Sequence, residues 1–332
     1  MCSFILPDPA SEQETNMKIS VLSTGHMAEK MVEHTLSKLD CTELYSVASR
    51  SFENAKEFAA RFGFEKAYGS YEELAADPQT GLIYIATPHS CHYADAKMCL
   101  EAGRHVLMEK AFTMNAAEAK ELTDISEKKN LLLAEGIWTR YMPSRQIIKD
   151  ILESGAIGEV SSLTSNLCYP LTHKKRCTDP ALGGGALLDI GVYPLNFALM
   201  AFEEEVKDVQ SSAVMSKEGV DLINSVTLTF ESGKMALLHS NMTARSDRHG
   251  YIYGSEGFLE LENVNNFYAI RRYDNNYCHV CDYEIPRQLS GYEYEIFSCI
   301  NAIEEGKYEC PEMPHSEILR VMKLMDEIRA QW

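Results

Sequence analysis

Basic residues are in short supply in this chain, where 31 Lys and Arg stand against 49 Asp and Glu and leave a net charge of −18 over 332 residues. Such a balance repels phosphate backbones and anionic lipid, so nucleic acid and membrane surfaces are not expected partners. Long apolar runs are lacking as well. The longest, Ala186 to Phe202, is interrupted by Asp189, Pro194 and Asn196 and falls short of the roughly 20 residues a spanning helix needs. Residues 1–16 hold acids and only the brief apolar run Phe4-Ile5-Leu6, so they read as a loose tail rather than a secretion signal. The ten cysteines form no dense framework and read as free thiols in a reducing cytoplasm. Cys278-His279-Val280-Cys281 has no second ligand pair, and its alternation with Tyr277 and Tyr283 suits a strand; no metal is expected. No Gly-x-Ser-x-Gly elbow, His-Glu-x-x-His or P-loop occurs, which sets aside hydrolase, zincin and kinase chemistry.

What is present is enough apolar content, 45%, for two cores in a chain too long for one. Short apolar runs at Lys18–Leu22, Leu44–Ala48, Leu82–Ala86, His105–Met108 and Leu131–Ala134 alternate with segments of helical spacing. This alternation predicts an α/β unit over 17–138, a doubly wound parallel sheet of Rossmann type. Beyond Trp138 the pattern changes to helix, strand, a Gly-led helix over 186–202, and then a series of alternating runs between Ser225 and Ile285. Residues 139–332 are therefore expected to form an α+β domain around one large, mainly antiparallel open sheet, closed by a helix over 316–330.

The first strand runs into Ser23-Thr24-Gly25-His26-Met27-Ala28. A tight turn there lets backbone amides and the positive end of a helix approach a pyrophosphate, although Ser23 stands where the dinucleotide fingerprint has its first glycine. The second strand ends in Ser49-Arg50-Ser51, with no acid to hold the diol of NAD. Arg50 suits the 2′-phosphate, so NADP is expected rather than NAD.

Four motifs resemble the glucose-fructose oxidoreductase and inositol dehydrogenase (Gfo/Idh/MocA) family: the turn at 23–28, Ile85-Ala86-Thr87-Pro88-His89-Ser90-Cys91-His92, Glu101 to Lys110, and Gly183 to Tyr193. Glu135 to Tyr141, together with Tyr193, is similar to its dihydrodiol dehydrogenase and NADP-dependent D-xylose dehydrogenase branch. The resemblance implies that Thr87, Pro88, His89 and His92 line the adenosine and ribose side and that Glu109 meets the nicotinamide ribose. It also implies that Lys110 reaches the reacting oxygen with Trp138 and Arg140 nearby, and that copies associate as a homodimer or larger through the open sheet. Ala111 departs from the family pattern by replacing the proline that usually follows the Glu-Lys pair.

Oxidising an alcohol carbon requires a base for the hydroxyl proton and a cation for the developing oxyanion. Tyr193 and Lys110, one from each domain, are expected to supply them at a sugar or cyclic diol, because a nearby ammonium lowers a Tyr from its usual ~10. Asp189, four residues before Tyr193, would orient Lys110 or a substrate hydroxyl. Pro194 predicts a disturbed helix beside Tyr193. Tyr93-x-x-x-Lys97 has the spacing of the short-chain dehydrogenase pair but comes too early in the chain and reads as a surface coincidence. The alternative to an enzyme is a non-catalytic NADP-binding sensor or regulatory subunit, suggested by Ser23 and Ala111.

Overall fold

The computed structural model describes residues 16–332, so the expected tail lies outside the described residues except for Asn16. The chain divides into two compact units, one running to Tyr141 and resuming over Gln288–Met322, the other comprising Met142–Arg287 and Lys323–Trp332.

The first unit opens with β1 (Met17–Leu22), α1 (His26–His34), β2 (Thr42–Ala48), α2 (Phe52–Phe62), β3 (Lys66–Tyr68) and α3 (Tyr71–Ala76). It continues with β4 (Leu82–Ile85), α4 (His89–Glu101), β5 (His105–Glu109), α5 (Ala116–Lys129) and β6 (Leu133–Gly136). All six strands are parallel, in the order β3-β2-β1-β4-β5-β6. That is the doubly wound arrangement of two mononucleotide halves. β4 is buried throughout and β5 at all but its first residue, as a sheet covered on both faces requires. The helix ends are written locally. Ser51 Oγ accepts the Asn54 amide at the start of α2, and Gly63 closes that helix at φ 82°. At the start of α5 Asn115 Oδ1 accepts the Glu118 amide while the Glu118 carboxylate accepts that of Met114, and Asn130 is in the left-handed conformation after the helix.

The second unit contains α6 (Pro143–Glu153), β7 (Val160–Cys168), α7 (Lys175–Thr178), a π-turn over Leu187–Gly191 and α8 (Val192–Phe202). Seven strands follow: β8 (Val206–Met215), β9 (Asp221–Phe230), β10 (Met235–Asn241), β11 (Gly250–Gly254), β12 (Gly257–Glu262), β13 (Ala269–Tyr273) and β14 (His279–Tyr283). Together with β7 they make an eight-stranded sheet ordered β14-β13-β12-β11-β7-β10-β9-β8. The sheet is mixed: β7 and β10 run parallel and every other pair is antiparallel. Cys281 lies within β14 and is a free thiol, like the other eight cysteines among the described residues.

Taken with the turns before it, the helical stretch around α8 spans Pro180–Phe202, 23 residues, which corrects the expectation that it is too short to cross a membrane. Its most apolar window of 18 residues is 94% buried, and α8 packs against β7 and β10, the situation of a core helix. The disturbance expected at Pro194 takes the form of the π-turn, after which Pro194 sits in the first turn of α8, where a missing amide costs little. The chain then returns to the first unit with α9 (Glu293–Glu304), and α10 (His315–Arg329) ends the fold.

Candidate cofactor and catalytic sites

β1 gives way to a turn in which Ser23 adopts φ 110°, a conformation glycine takes without strain. Its amide bonds the Ala48 carbonyl at 3.0 Å, tying the turn to the end of β2, and its hydroxyl accepts the Gly25 amide at 3.1 Å. α1 then starts with Gly25 as its cap and no side chain closing the first turn. The amides of His26 and Met27 are thus left for an anionic ligand. Thr24 Oγ1 reaches Ser49 Oγ at 3.4 Å. Arg50 is exposed beside it, within electrostatic reach of Tyr71 and Asp95. Tyr71 and Asp95 carried no signal in the sequence.

Around β4 and β5, Pro88 caps α4, and Thr87 donates to Asp95 at 2.7 Å. His89 is buried, its ring edge toward His92. His92 is 0% exposed, with Nε2 2.9 Å from the Thr87 carbonyl and Nδ1 2.9 Å from that of Ala111. Burial lowers its pKa, opposed by the carbonyls of Ala111, Thr87 and Phe112. It braces two loops through those carbonyls. Arg140 is 2% exposed, with Nη2 3.0 Å from Glu317 Oε2. Trp138 stacks on Tyr292 of α9 at 4.2 Å, and Lys30 donates to Tyr292 Oη at 3.0 Å. The Lys110–Ala111 peptide is cis.

Besides Glu293, which accepts the amides of Leu289, Ser290 and Gly291, this half buries Glu109, Glu135 and Glu295. Tyr84 donates to Glu109 Oε1 at 2.6 Å. Burial raises the Glu109 carboxyl, opposed by Tyr84, Lys110 and Lys30. Neither oxygen of Glu135 or Glu295 has a hydrogen-bond partner. Burial pushes Glu135 up to about 7 against the pull of Arg140 and, more weakly, of the Phe112 amide, which stands close without closing a bond. Burial and then the charge of Glu109 drive Glu295 well above the carboxylate range. Lys30, Glu135, Tyr292 and Glu295 were not singled out in the sequence, because a burial pattern treats Lys and Glu as surface residues.

In the second unit Asp189 lies in the π-turn, 4% exposed, with Oδ1 2.7 Å from Arg176 Nη1 and Oδ2 accepting the Cys177 thiol at 3.4 Å. Burial, followed by the Asp189 charge, pushes that thiol up to about 11, so it remains a donor. Arg176 thus neutralises Asp189. The turn is pinned by Asp221, which accepts the Leu187 amide and Asn224 Nδ2, each at 2.8 Å. A Cβ on Gly185 would stand 2.3 Å from Asp221 Oδ1, so glycine is required there. Tyr193 follows directly at the start of α8 and is buried. Tyr93 and Lys97 meet only at the surface, both bonded to Glu121. Among the described residues no group of three His, Cys, Asp or Glu side chains is arranged to hold a metal.

Residues 17–137 match the model of an oxidoreductase family with an NAD-binding Rossmann fold, and residues 146–260 match the GFO/IDH/MocA C-terminal domain. The chain belongs to the GFO/IDH/MocA family. A trans-1,2-dihydrobenzene-1,2-diol dehydrogenase of Xenopus laevis is 36% identical over 74% of this chain and 74% of its own length. A D-xylose 1-dehydrogenase (NADP(+)) of Hypocrea jecorina is 30% identical over 97% of the chain and 93% of its own length. Among solved structures, a 3-ketoreductase of Actinomadura kijaniata in complex with TDP-benzene and NADP superposes with a TM-score of 0.83 at 25% identity, covering 96% of this chain and 98% of its own. The GFO/IDH/MocA chain described here is accordingly an oxidoreductase with a Rossmann nucleotide unit.

Proposed function

We propose that the chain is an NADP-dependent dehydrogenase that acts on a CH–OH carbon of a sugar or cyclic diol. The observation that carries this reading is the uncapped start of α1 beside Arg50, in a first unit of Rossmann order. The residues fit NADP: amides without a side-chain cap suit the pyrophosphate, and an exposed cation at the end of β2 suits the 2′-phosphate. Ser23, Thr24, Gly25, His26 and Met27 would hold the pyrophosphate, with Ser49 and Arg50 on the adenosine ribose. Thr87, Pro88 and His89 would follow along the chain of the cofactor, and Glu109, Lys110 and Trp138 would meet the nicotinamide side. When bound, NADP supplies the hydride acceptor or donor.

The protein's own part is proton and charge handling. Tyr193 takes the hydroxyl proton, Lys110 stabilises the oxygen that loses it, and Asp189 orients the substrate while Arg176 offsets its charge. Trp138 would present an apolar ring to the sugar or diol. The relatives named for D-xylose and for a dihydrodiol support this substrate class. Association of copies through the outer face of the large sheet is part of the same reading, since Met235 and Leu237 are exposed two residues apart on β10. So is a reducing, cytoplasmic setting for the free thiols.

Turnover of NADP with a panel of pentoses, hexoses and cyclic diols tests the proposal. Tyr193→Phe should lower the rate on the best substrate by roughly 10² to 10⁴ with NADP affinity little changed. Near-normal turnover in that variant moves the proton to another group. Cofactor binding without turnover on any substrate returns the chain to the role of a sensor.

A further inference from the structure

The ends of β5 and β6 each carry a buried acid. Glu109 is the last residue of β5, and Glu135 the next to last of β6. Register pairs Glu109 with Gly136 and Met108 with Glu135. Because side chains alternate between faces, Glu109 and Glu135 lie on opposite faces of the same sheet edge. Glu295 approaches from α9 on the Gly136 side of the edge, where a Cβ on Gly136 would be in ordinary contact with both acids, 3.7 Å from Glu295 Oε1 and 3.6 Å from Glu109 Cα. Glu135 and Glu295 are 1% and 0% exposed, and all four of their carboxyl oxygens lack a hydrogen-bond partner. A buried anion in that condition is costly, and the cost is met either by a proton or by a positive charge brought in from outside.

The groups facing the cluster are few. Glu109 meets Tyr84 of β4, Lys30 of α1 and Lys110, and its charge also reaches Tyr292 and Glu295 of α9. Glu135 meets Arg140, Lys110, Glu109 and the Phe112 amide. Glu295 meets Glu109, Cys310 and Glu293, and its charge reaches Tyr84 and Tyr141. Arg140 is paired with Glu317, and Lys30 gives a hydrogen bond to Tyr292. Ligands of doubly wound sheets bind outside the carboxyl ends of the strands, and β4 to β6 form the second mononucleotide half. With Arg50 at the adenosine half, that second half receives the nicotinamide. The oxidised ring carries a positive charge and the reduced ring carries none.

We propose that Glu135 and Glu295, on opposite faces of the strand edge and joined through Glu109 between them, make with it a set of buried acids at the nicotinamide end of the site, which releases a proton to solvent when oxidised NADP binds and retains it when reduced NADP binds. The inference rests on the cofactor placement proposed above. In the step a carboxyl O–H bond breaks, the proton passes to bulk buffer, and the carboxylate left behind faces the cationic ring; nothing is oxidised or reduced. By reciprocity, acid should weaken binding of the oxidised cofactor relative to the reduced one.

The test is titration calorimetry of the intact protein with each cofactor at pH 7, in two buffers of different ionisation heat, which counts protons exchanged on binding. Oxidised NADP should release on the order of one proton more than reduced NADP. The 2′-phosphate, whose second pKa is about 6, also loses a proton on meeting a cation, but it is common to both cofactors and cancels in the difference. The difference should shrink in Glu135→Gln or Glu295→Gln and vanish in the double variant. Equal proton counts in the wild type overturn the proposal without any variant, and so does a difference that the double variant leaves intact. If neither cofactor gives a binding heat, the cofactor placement itself is wrong and the cluster's role falls with it.

Discussion

The half of the six-stranded sheet built on β1–β3 and the half built on β4–β6 each bury acids, but they surround them differently. In the first half Asp77 accepts Tyr45 Oη at 2.7 Å, Tyr68 Oη at 2.6 Å, Lys66 Nζ at 3.0 Å and the Gln79 amide at 2.9 Å. Burial alone would raise its carboxyl. Those donors, led by Tyr68, overcome the burial and hold it well below the usual carboxylate range. In the second half Glu135 and Glu295 have no such donors and move the other way. A fully satisfied buried acid stabilises the fold, whereas a bare one is a place where a proton or a ligand charge is still to come.

The comparison is sharpened most by Lys110→Met. If chemistry belongs to the second half, turnover should fall by roughly 10² to 10³ while NADP affinity stays within a few-fold. Equal losses in both would mean that Lys110 only binds. Asp77→Asn should act on stability instead: losing the acceptor for two phenols and an ammonium should cost about 2 to 3 kcal/mol, read as a lower melting temperature with turnover per folded molecule unchanged.

The two acids also predict opposite pH slopes. Because Asp77 is depressed in the fold, its contribution is present above the unfolded value of about 3.9 and is lost as pH falls through the lower folded value. Glu135 is raised to about 7, so its effect runs in reverse. Stability is full below the unfolded value of about 4.3 and declines as pH rises toward 7, after which the loss is complete. Glu135→Gln should therefore melt higher than wild type at pH 8 and match it at pH 4. A variant that melts lower at pH 8 would show that Glu135 is satisfied after all.

In the first half, Arg50→Ala should erode the preference for NADP over NAD by roughly tenfold, measured as the ratio of dissociation constants. An unchanged ratio removes Arg50 from the phosphate. Smallest is Ser23→Gly, which relieves the positive φ and frees the Gly25 amide from the Ser23 hydroxyl. NADP binding should tighten a few-fold. Weaker binding would mean that the hydroxyl itself serves the pyrophosphate.

Four strands of the six-stranded sheet were legible because β1, β2, β4 and β5 are apolar runs between helix caps and turns, and Arg50 was found from its place at a strand end. β3 escaped notice because three residues, Lys66 to Tyr68, make no pattern. β8 escaped because it is an edge strand with most positions exposed or half-exposed, so it lacks the alternation that marks a strand packed on a core. The parallel pairing of β7 with β10 could not be read, since alternation reports which face is buried and says nothing of direction. α9 was missed for a reason that bears on the site. Its Glu293 and Glu295 are buried, and helical periodicity gives acids to solvent. Asp189 and Tyr193 were found through the family motif, but the pairing of Asp189 with Arg176 needed the loop and the π-turn to be folded together.

The return of the chain at Gln288 also bears on biosynthesis. A ribosome delivers β1 through β6 early, yet Tyr292 and Glu295 arrive only after all of Met142–Arg287 has been made. At ordinary elongation rates that interval lasts on the order of ten to thirty seconds. During it the Rossmann unit stands without α9, with Trp138 lacking its stacking partner and the Glu109 side of the sheet lacking its cover. A nascent chain stalled before Gln288 would carry an incomplete nucleotide unit, and a truncation there would lose more than the tail its position suggests.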